Sequence, residues 1–124
     1  MCSRMNEIIK KEMRSEKSFH FAWRIFLDCF YRADSSSKVE MVGDKVNCGL
    51  DEKDSAFIAA AIHKLCREHS LEVPEWVFDP AFFLKDPYFS NNPPDVLKLI
   101  YLVESPPEFK MRNIFTSENT LSRA

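Results

Sequence analysis

His63, Cys66 and His69 stand three residues apart, a spacing that makes near neighbours on a helix face. Imidazole and thiolate are good zinc ligands, so the trio invites comparison with a metal site. The first and third lie six residues apart, too far along and around one helix for all three to close on one ion. A structural zinc also takes a fourth ligand, for which only Cys48 offers itself from the preceding turn. The favoured reading is therefore Cys66 in the core and two solvated histidines, with no metal. A Cys–His nucleophilic pair would need an activating environment, an orienting third group and an oxyanion hole, none of which the sequence supplies. Gly43 and Gly49 are the only glycines and match no phosphate-binding loop. Asp51, Glu52 and Asp54 belong in the first turn of a helix, where acids favour the dipole. No catalytic set and no cofactor motif emerges.

Binding chemistry has better candidates. His20, Arg24, Asp28 and Arg32 recur every fourth residue and form one slanted polar stripe on an otherwise apolar segment. Facing water, they are ordinary helix-surface pairs; covered by another element, they become a paired network or a ligand-facing wall in which Arg24 and Asp28 would orient the ligand. A second group is aromatic: Trp76, Phe78, Phe82, Phe83, Tyr88 and Phe89 crowd a Pro-rich stretch. These rings either wrap the core as a lid or leave some members, with Trp76, Phe83, Tyr88 and Phe89 as candidates, outside as partner anchors. Lys110, Arg112 and Arg123 with Arg32 and Lys98 would make a basic patch only if the terminal helices converged, and dispersion is expected.

Helices must position these groups. Met5, Ile8, Ile9 and Met13 give residues 4–16 a narrow amphipathic stripe, an N-terminal helix or arm over residues 1–17. From Ser18 to Ala33 the residues Phe19, Ala22, Trp23, Phe26, Leu27, Phe30 and Tyr31 follow helical spacing. Phe21, Ile25 and Cys29 add a second line, so this helix is apolar nearly all round and reads as central. Residues 34–49 are too long for a structureless loop, which predicts an intervening short helix or turn. Leu50 to Ser70 reads as a second long helix capped by Asp51. Pro74, Pro80 and Pro87 break up the next segment, with Asp79-Pro80 starting a short helix. Asp95 to Glu104 is strongly apolar and is expected to be largely buried. Ser105-Pro106-Pro107-Glu108 has capping-box spacing and predicts a short helix to about Arg112. Residues 113–116 form a connector or one short strand, and Ser117 is placed to cap a last helical turn.

Bulk properties agree. The chain has 124 residues, 45% of them apolar, which suits one continuous core, and two glycines leave hairpins few left-handed positions. The fold class expected is all-α: a compact single-domain bundle of about five to six helices over residues 18–124, with a Pro/aromatic-rich irregular segment. Seventeen basic and nineteen acidic residues give a net charge of −2, so no strong field attracts a polyanion. Cys2, Cys29, Cys48 and Cys66 form no compact disulfide framework, and no signal-peptide or membrane-spanning run occurs, making the cytoplasm the expected location.

Phe26-Leu27-Asp28 with Phe30-Tyr31, Pro74-Glu75-Trp76-Val77, Tyr88-Phe89 and the run from Ser105 to Phe115 together resemble an uncharacterised bacterial family of small helical proteins. The likeness spans roughly Ser18 to the C-terminus. Family members stand alone or follow helix-turn-helix regulatory domains, some in genetic settings suggestive of toxin–antitoxin pairs. The family pattern carries a Gly where Asn113 stands, preceded by a basic residue matched by Arg112; Asn tolerates the left-handed backbone such a turn requires. The resemblance implies a non-enzymatic interaction or regulatory module, an antitoxin-like partner in a two-gene system being one form of it, with a protein partner or a second copy of itself. Two alternatives are a small-molecule sensor or enzyme with a pocket between the central helix and the aromatic lid, and a DNA-binding regulator. Membrane association is not expected, nor direct nucleic-acid contact.

Overall fold

The computed structural model describes residues 5–14, 19–46, 51–89, 93–116 and 121. The fold is all-α, as the periodicity predicts: six helices, two short 3-10 turns and a two-stranded ribbon of minimal length among the described residues. The chain divides into two compact units, Met1–Gly49 with Arg123–Ala124, and Leu50–Ser122. None of the described helices is long and apolar enough to cross a membrane.

The first unit holds α1 (Met5–Arg14), α2 (Phe19–Arg32) and α3 (Ser35–Val42). Helix α1 packs along α2 and buries Met5, Ile8 and Ile9 of the apolar stripe read from its spacing; the Met13 side chain lies outside the described residues. Helix α2 buries Ala22, Trp23, Phe26, Leu27 and Phe30, a period that keeps them on one face. Trp23 stacks on Phe26 at 5.1 Å, and Phe26 meets Phe30 at 5.9 Å, so the face carries a ladder of rings. The second apolar line does not share this burial: Phe21 is exposed and Ile25 and Cys29 are partly so, and Tyr31 at the end of the first line is exposed as well, so this helix, apolar nearly all round in sequence, is buried on one face rather than enclosed as a central helix. The predicted interruption of residues 34–49 is α3, started by Asp34, whose carboxylate accepts the Ser37 amide at 2.8 Å. Those same bonds to Ser37 hold the Asp34 carboxyl below its ordinary pKa.

The second unit is organised on α4 (Glu52–Glu68). Asp51 caps it as predicted, accepting the Asp54 amide at 2.8 Å. Seven consecutive residues from Ala56 to Ile62 are buried, followed by Leu65 and Cys66. Phe57, Ile58, Ile62 and Leu65 alone contribute roughly 6–12 kcal/mol of hydrophobic stabilisation, as an upper estimate. At its C-terminus Leu71 N–H donates to Cys66 O at 2.8 Å and Ser70 N–H to Arg67 O at 3.4 Å, a Schellman closure that places Ser70 in the left-handed region at φ 58°. A glycine adopts that backbone without the Cβ penalty. Ser70→Gly is therefore expected to stabilise the chain by about 0.5–1 kcal/mol after the larger unfolded-state entropy of Gly is counted. A urea midpoint that stays put or falls would contradict this.

Two 3-10 turns, Glu75–Phe78 and Pro80–Phe82, pack on α4 and bury Val77 and Phe82. Asp79 caps the second by accepting the Ala81 amide at 2.9 Å, with Pro80 first in the turn. Strand β1 (Tyr88–Phe89) pairs in parallel with β2 (Ile114–Phe115), the short strand expected after Asn113. Asn113 takes φ 65°, so the left-handed turn forms without Gly; its side-chain amide donates to Lys85 O at 3.1 Å.

Between the strands lie α5 (Asp95–Glu104) and α6 (Pro107–Lys110), where two expectations fail. The capping box does not form. Ser105 N–H is already engaged with Tyr101 O at 3.1 Å, closing α5, so Glu108 has no donor to reach back to. Pro106 occupies the cap position of α6. The Ser105 hydroxyl instead lies within reach of the Tyr101 and Thr116 carbonyls and accepts Thr116 N–H at 2.8 Å, tying the end of α5 to the end of β2. The second failure is larger: α5 contains no buried residue. The turn expected at Ser117 lies outside the described residues.

Candidate functional site

Arg112 is the largest fully buried side chain among the described residues, although nothing in its local sequence marks it so. It follows α6, four residues after Glu108, where it resembles one more helix-surface cation. Its guanidinium donates to Glu108 O and Val77 O, each at 2.8 Å, and lies 3.2 Å from His63 Nδ1. Phe83 covers it at 4.9 Å and Phe78 at 5.8 Å. Its Nε finds no acceptor among the described residues. Burial pushes the guanidinium pKa down to about 10, which still leaves it charged at neutral pH.

A guanidinium can only donate, so His63 Nδ1 must accept and the ring carries its proton on Nε2. The His63 ring meets Phe78 edge-on at 5.0 Å. Its pKa is lowered first by burial and next by the Arg112 charge, and both favour the neutral ring. The reading of two solvated histidines therefore fails at His63, which is half-buried and bonded. Glu108 completes the centre: buried, it accepts both arms of the exposed Arg67 guanidinium, Nη2 at 3.3 Å and Nε closer. Burial raises the Glu108 carboxyl, but the Arg67 bonds and charge outweigh it and hold the acid below its ordinary pKa.

This centre is poorly disposed for catalysis. Its arginine is committed to two backbone carbonyls, and the histidine nitrogen that would serve as a base is already occupied. Cys66, one turn along α4, is fully buried and its thiol is pushed up to about 11 by desolvation, the opposite of an activated thiolate. Among the described residues no three His, Cys, Asp or Glu side chains are grouped to hold a metal ion. The centre's evident work is to join α4, α6 and the first 3-10 turn.

The other sequence-derived candidates fall in both units. Arg24 and Arg32 are exposed and Asp28 is half-buried, with Arg32 Nε donating to the Asp28 carbonyl at 3.1 Å, so these two arginines of the stripe on α2 face solvent; the His20 side chain lies outside the described residues. Trp76 sits edge-on to Phe82 at 5.9 Å and is partly covered. Tyr88 lies under Lys53 at 5.3 Å, and Phe89 stacks on Phe115 at 5.2 Å. The structure brings Phe83 and Arg112 together, and Tyr88 and Phe89 into one strand, within the second unit. Arg112, being buried, cannot join a surface basic patch.

The surface that sequence reasoning missed is α5. Lys98, Tyr101 and Glu104, three residues apart, are its less exposed positions, and they form the side by which the helix is attached. Lys98 Nζ lies 5.6 Å over Phe89, and Lys110 Nζ donates to Val103 O at 2.9 Å. The opposite side carries Val96, Leu99, Ile100 and Val103, exposed by 72, 67, 44 and 79%, within an arc of roughly 100° at 3.6 residues per turn. Leu102, 43% exposed, borders that arc, and Leu97, 41% exposed, lies on the other side between Glu104 and Tyr101. At about 1.5–3 kcal/mol for each fully buried aliphatic side chain, the four leave roughly 4–8 kcal/mol of hydrophobic free energy unrealised in this structure. The legible signal was the three-residue spacing of Lys98, Tyr101 and Glu104, which marks the attached face as the polar one. No family model, curated protein or solved structure matches this chain.

Proposed function

We propose that the chain is a non-enzymatic protein-interaction or regulatory module of the bacterial cytoplasm, antitoxin-like in a two-gene system, that docks through α5. One observation carries this reading: the ten-residue helix α5 turns Val96, Leu99, Ile100 and Val103 outward while Lys98, Tyr101 and Glu104 on its other side are less exposed. Contiguous exposed apolar surface of this kind marks interaction sites, and anchors at i, i+3, i+4 and i+7 are the pattern by which a helix face engages a partner. The resemblance to a family found behind regulatory domains points the same way.

The test uses a photo-crosslinking residue at Val96, with and without the double substitution Leu99→Glu and Val103→Glu, in cells that express the full chain. A discrete adduct that disappears with the substitutions, while the purified double variant melts within a few degrees of the parent, is the expected result. Diffuse labelling, or a double variant that no longer folds, would mean that α5 is not a docking surface.

A further inference from the structure

We propose that His63 is an acid-sensitive latch: charging its ring breaks the bond to Arg112 and loosens the first 3-10 turn from α4. In the neutral ring Nδ1 accepts from the Arg112 guanidinium at 3.2 Å, and it is the one side-chain acceptor that Arg112 has among the described residues. A second proton converts Nδ1 from acceptor to donor, so two donors and two positive charges then face each other across that distance. Arg112 cannot retreat. Val77 O and Glu108 O fix its fork, and the Phe78 and Phe83 rings cover it. The half-buried imidazole is the part that moves, and Phe78, which meets it edge-on at 5.0 Å from the 3-10 turn, loses that contact when it does.

The charges around the ring favour this outcome. Helix α4 itself adds the Arg67 cation, while Lys64, next in sequence, is paired with Glu68. Helix α6 contributes Glu108, whose charge attracts a proton to the ring, but Arg67 engages both of its oxygens. The first 3-10 turn faces the ring with Phe78, its acid Glu75 being exposed, and the second, Pro80–Phe82, has no titratable residue. Burial and the Arg112 charge outweigh Glu108 and hold the His63 pKa below its ordinary 6.5. The opened chain therefore takes up the proton first, so the closed junction is intact above 6.5 and loses stability as the pH falls below it. Glu108 and Asp34, both lowered from ordinary carboxylate values, act in the same direction only at more acid pH, which keeps the histidine effect separable.

Two measurements on the full chain test this. Proton NMR of the imidazole Cε1–H signals, assigned by replacing each histidine with glutamine in turn, is expected to put the His63 midpoint below 6.5. Amide exchange, corrected for its intrinsic pH dependence, reads the junction through the bonds of Val77 and Asp79 in the turn and of Arg112 and Asn113 after α6. Protection there is expected to fall between about pH 7.5 and about pH 5.5, the span in which histidine charges, while α4 keeps its own. The fall is at most about tenfold one unit below the ordinary value, the limit set by protonation of a free imidazole. His63→Gln, whose side-chain oxygen can accept from Arg112 and which takes up no proton, is expected to hold its protection throughout. A midpoint at or above 6.5, unchanged protection in the parent, a loss shared equally by α4, or a loss that persists in His63→Gln overturns the latch. Should His63→Gln fail to fold, the His63 signal is the one left in the double variant His20→Gln and His69→Gln, and its midpoint decides alone.

Discussion

Replacing Arg112 by alanine is expected to destabilise the chain by about 4 kcal/mol or more, enough to unfold a marginal domain near room temperature. Two buried carbonyls, Val77 O and Glu108 O, lose their 2.8 Å donors, at roughly 1–3 kcal/mol each for a buried polar group left unsatisfied. The space between Phe78 and Phe83 is emptied as well, which adds a cavity and removes the cation over the rings. Arg112→Lys does not repair this, since one ammonium cannot reproduce a planar fork that bonds in separate directions while lying against Phe83. It is expected to cost about 2 kcal/mol or more, a loss that a charge-only role would not produce. Urea unfolding followed by circular dichroism measures both. A loss below about 1 kcal/mol for Arg112→Ala would mean that the guanidinium does not hold α4, α6 and the 3-10 turn together.

Ionisation of Cys66 is expected to cost the chain about 2–3 kcal/mol of stability between pH 9 and pH 11, at 1.36 kcal/mol per pKa unit. The sign follows from linkage. In the unfolded chain the thiol ionises near its ordinary 9.0, whereas burial in the folded state delays ionisation to about 11. Between those values the folded state binds the extra proton, so raising the pH favours unfolding. Below pH 9 the contribution is fully present; above about 11 it is gone. Tyr31 and Tyr88, raised by burial, act in the same direction, and Lys64 and Arg112, both lowered by burial, act against them, Arg112 from about pH 10 upward. The difference in slope between the parent and Cys66→Ala isolates the thiol, whatever uniform loss the substitution itself brings. Equal slopes would show that Cys66 ionises freely in the folded chain.

The helices themselves are legible in the residues because a helix is a local object. Periodic apolar positions in α2 and α4 and the side chains of Asp51 and Asp79 act within one or two turns of the backbone they organise, and each does so in the structure. The left-handed turn at Asn113 belongs here too, since an Asn side chain accepts that backbone without help from distant residues. Ser105 and Glu108 show where local reasoning ends. Their spacing suits a capping box, but both are engaged elsewhere, Ser105 by α5 and β2 and Glu108 by Arg67, a residue 41 positions away.

What the sequence by itself determined was the inventory: an all-α chain, the extents of its long helices, their caps, and a break through the aromatic segment. Only the tertiary structure decided which side of each helix meets the body. In α5 the apolar residues outnumber the polar ones, and periodicity predicts burial because it cannot know that Lys98, Tyr101 and Glu104 form the attached face. In Arg112 the charge predicts exposure, because only the folded chain brings Val77 O and Glu108 O within bonding distance and closes Phe78 and Phe83 around it. The physical reason is the same in both cases. Burial is a property of the partner surface as much as of the residue, and partners such as His63 and Arg112, 49 positions apart, are chosen by the path of the chain in three dimensions.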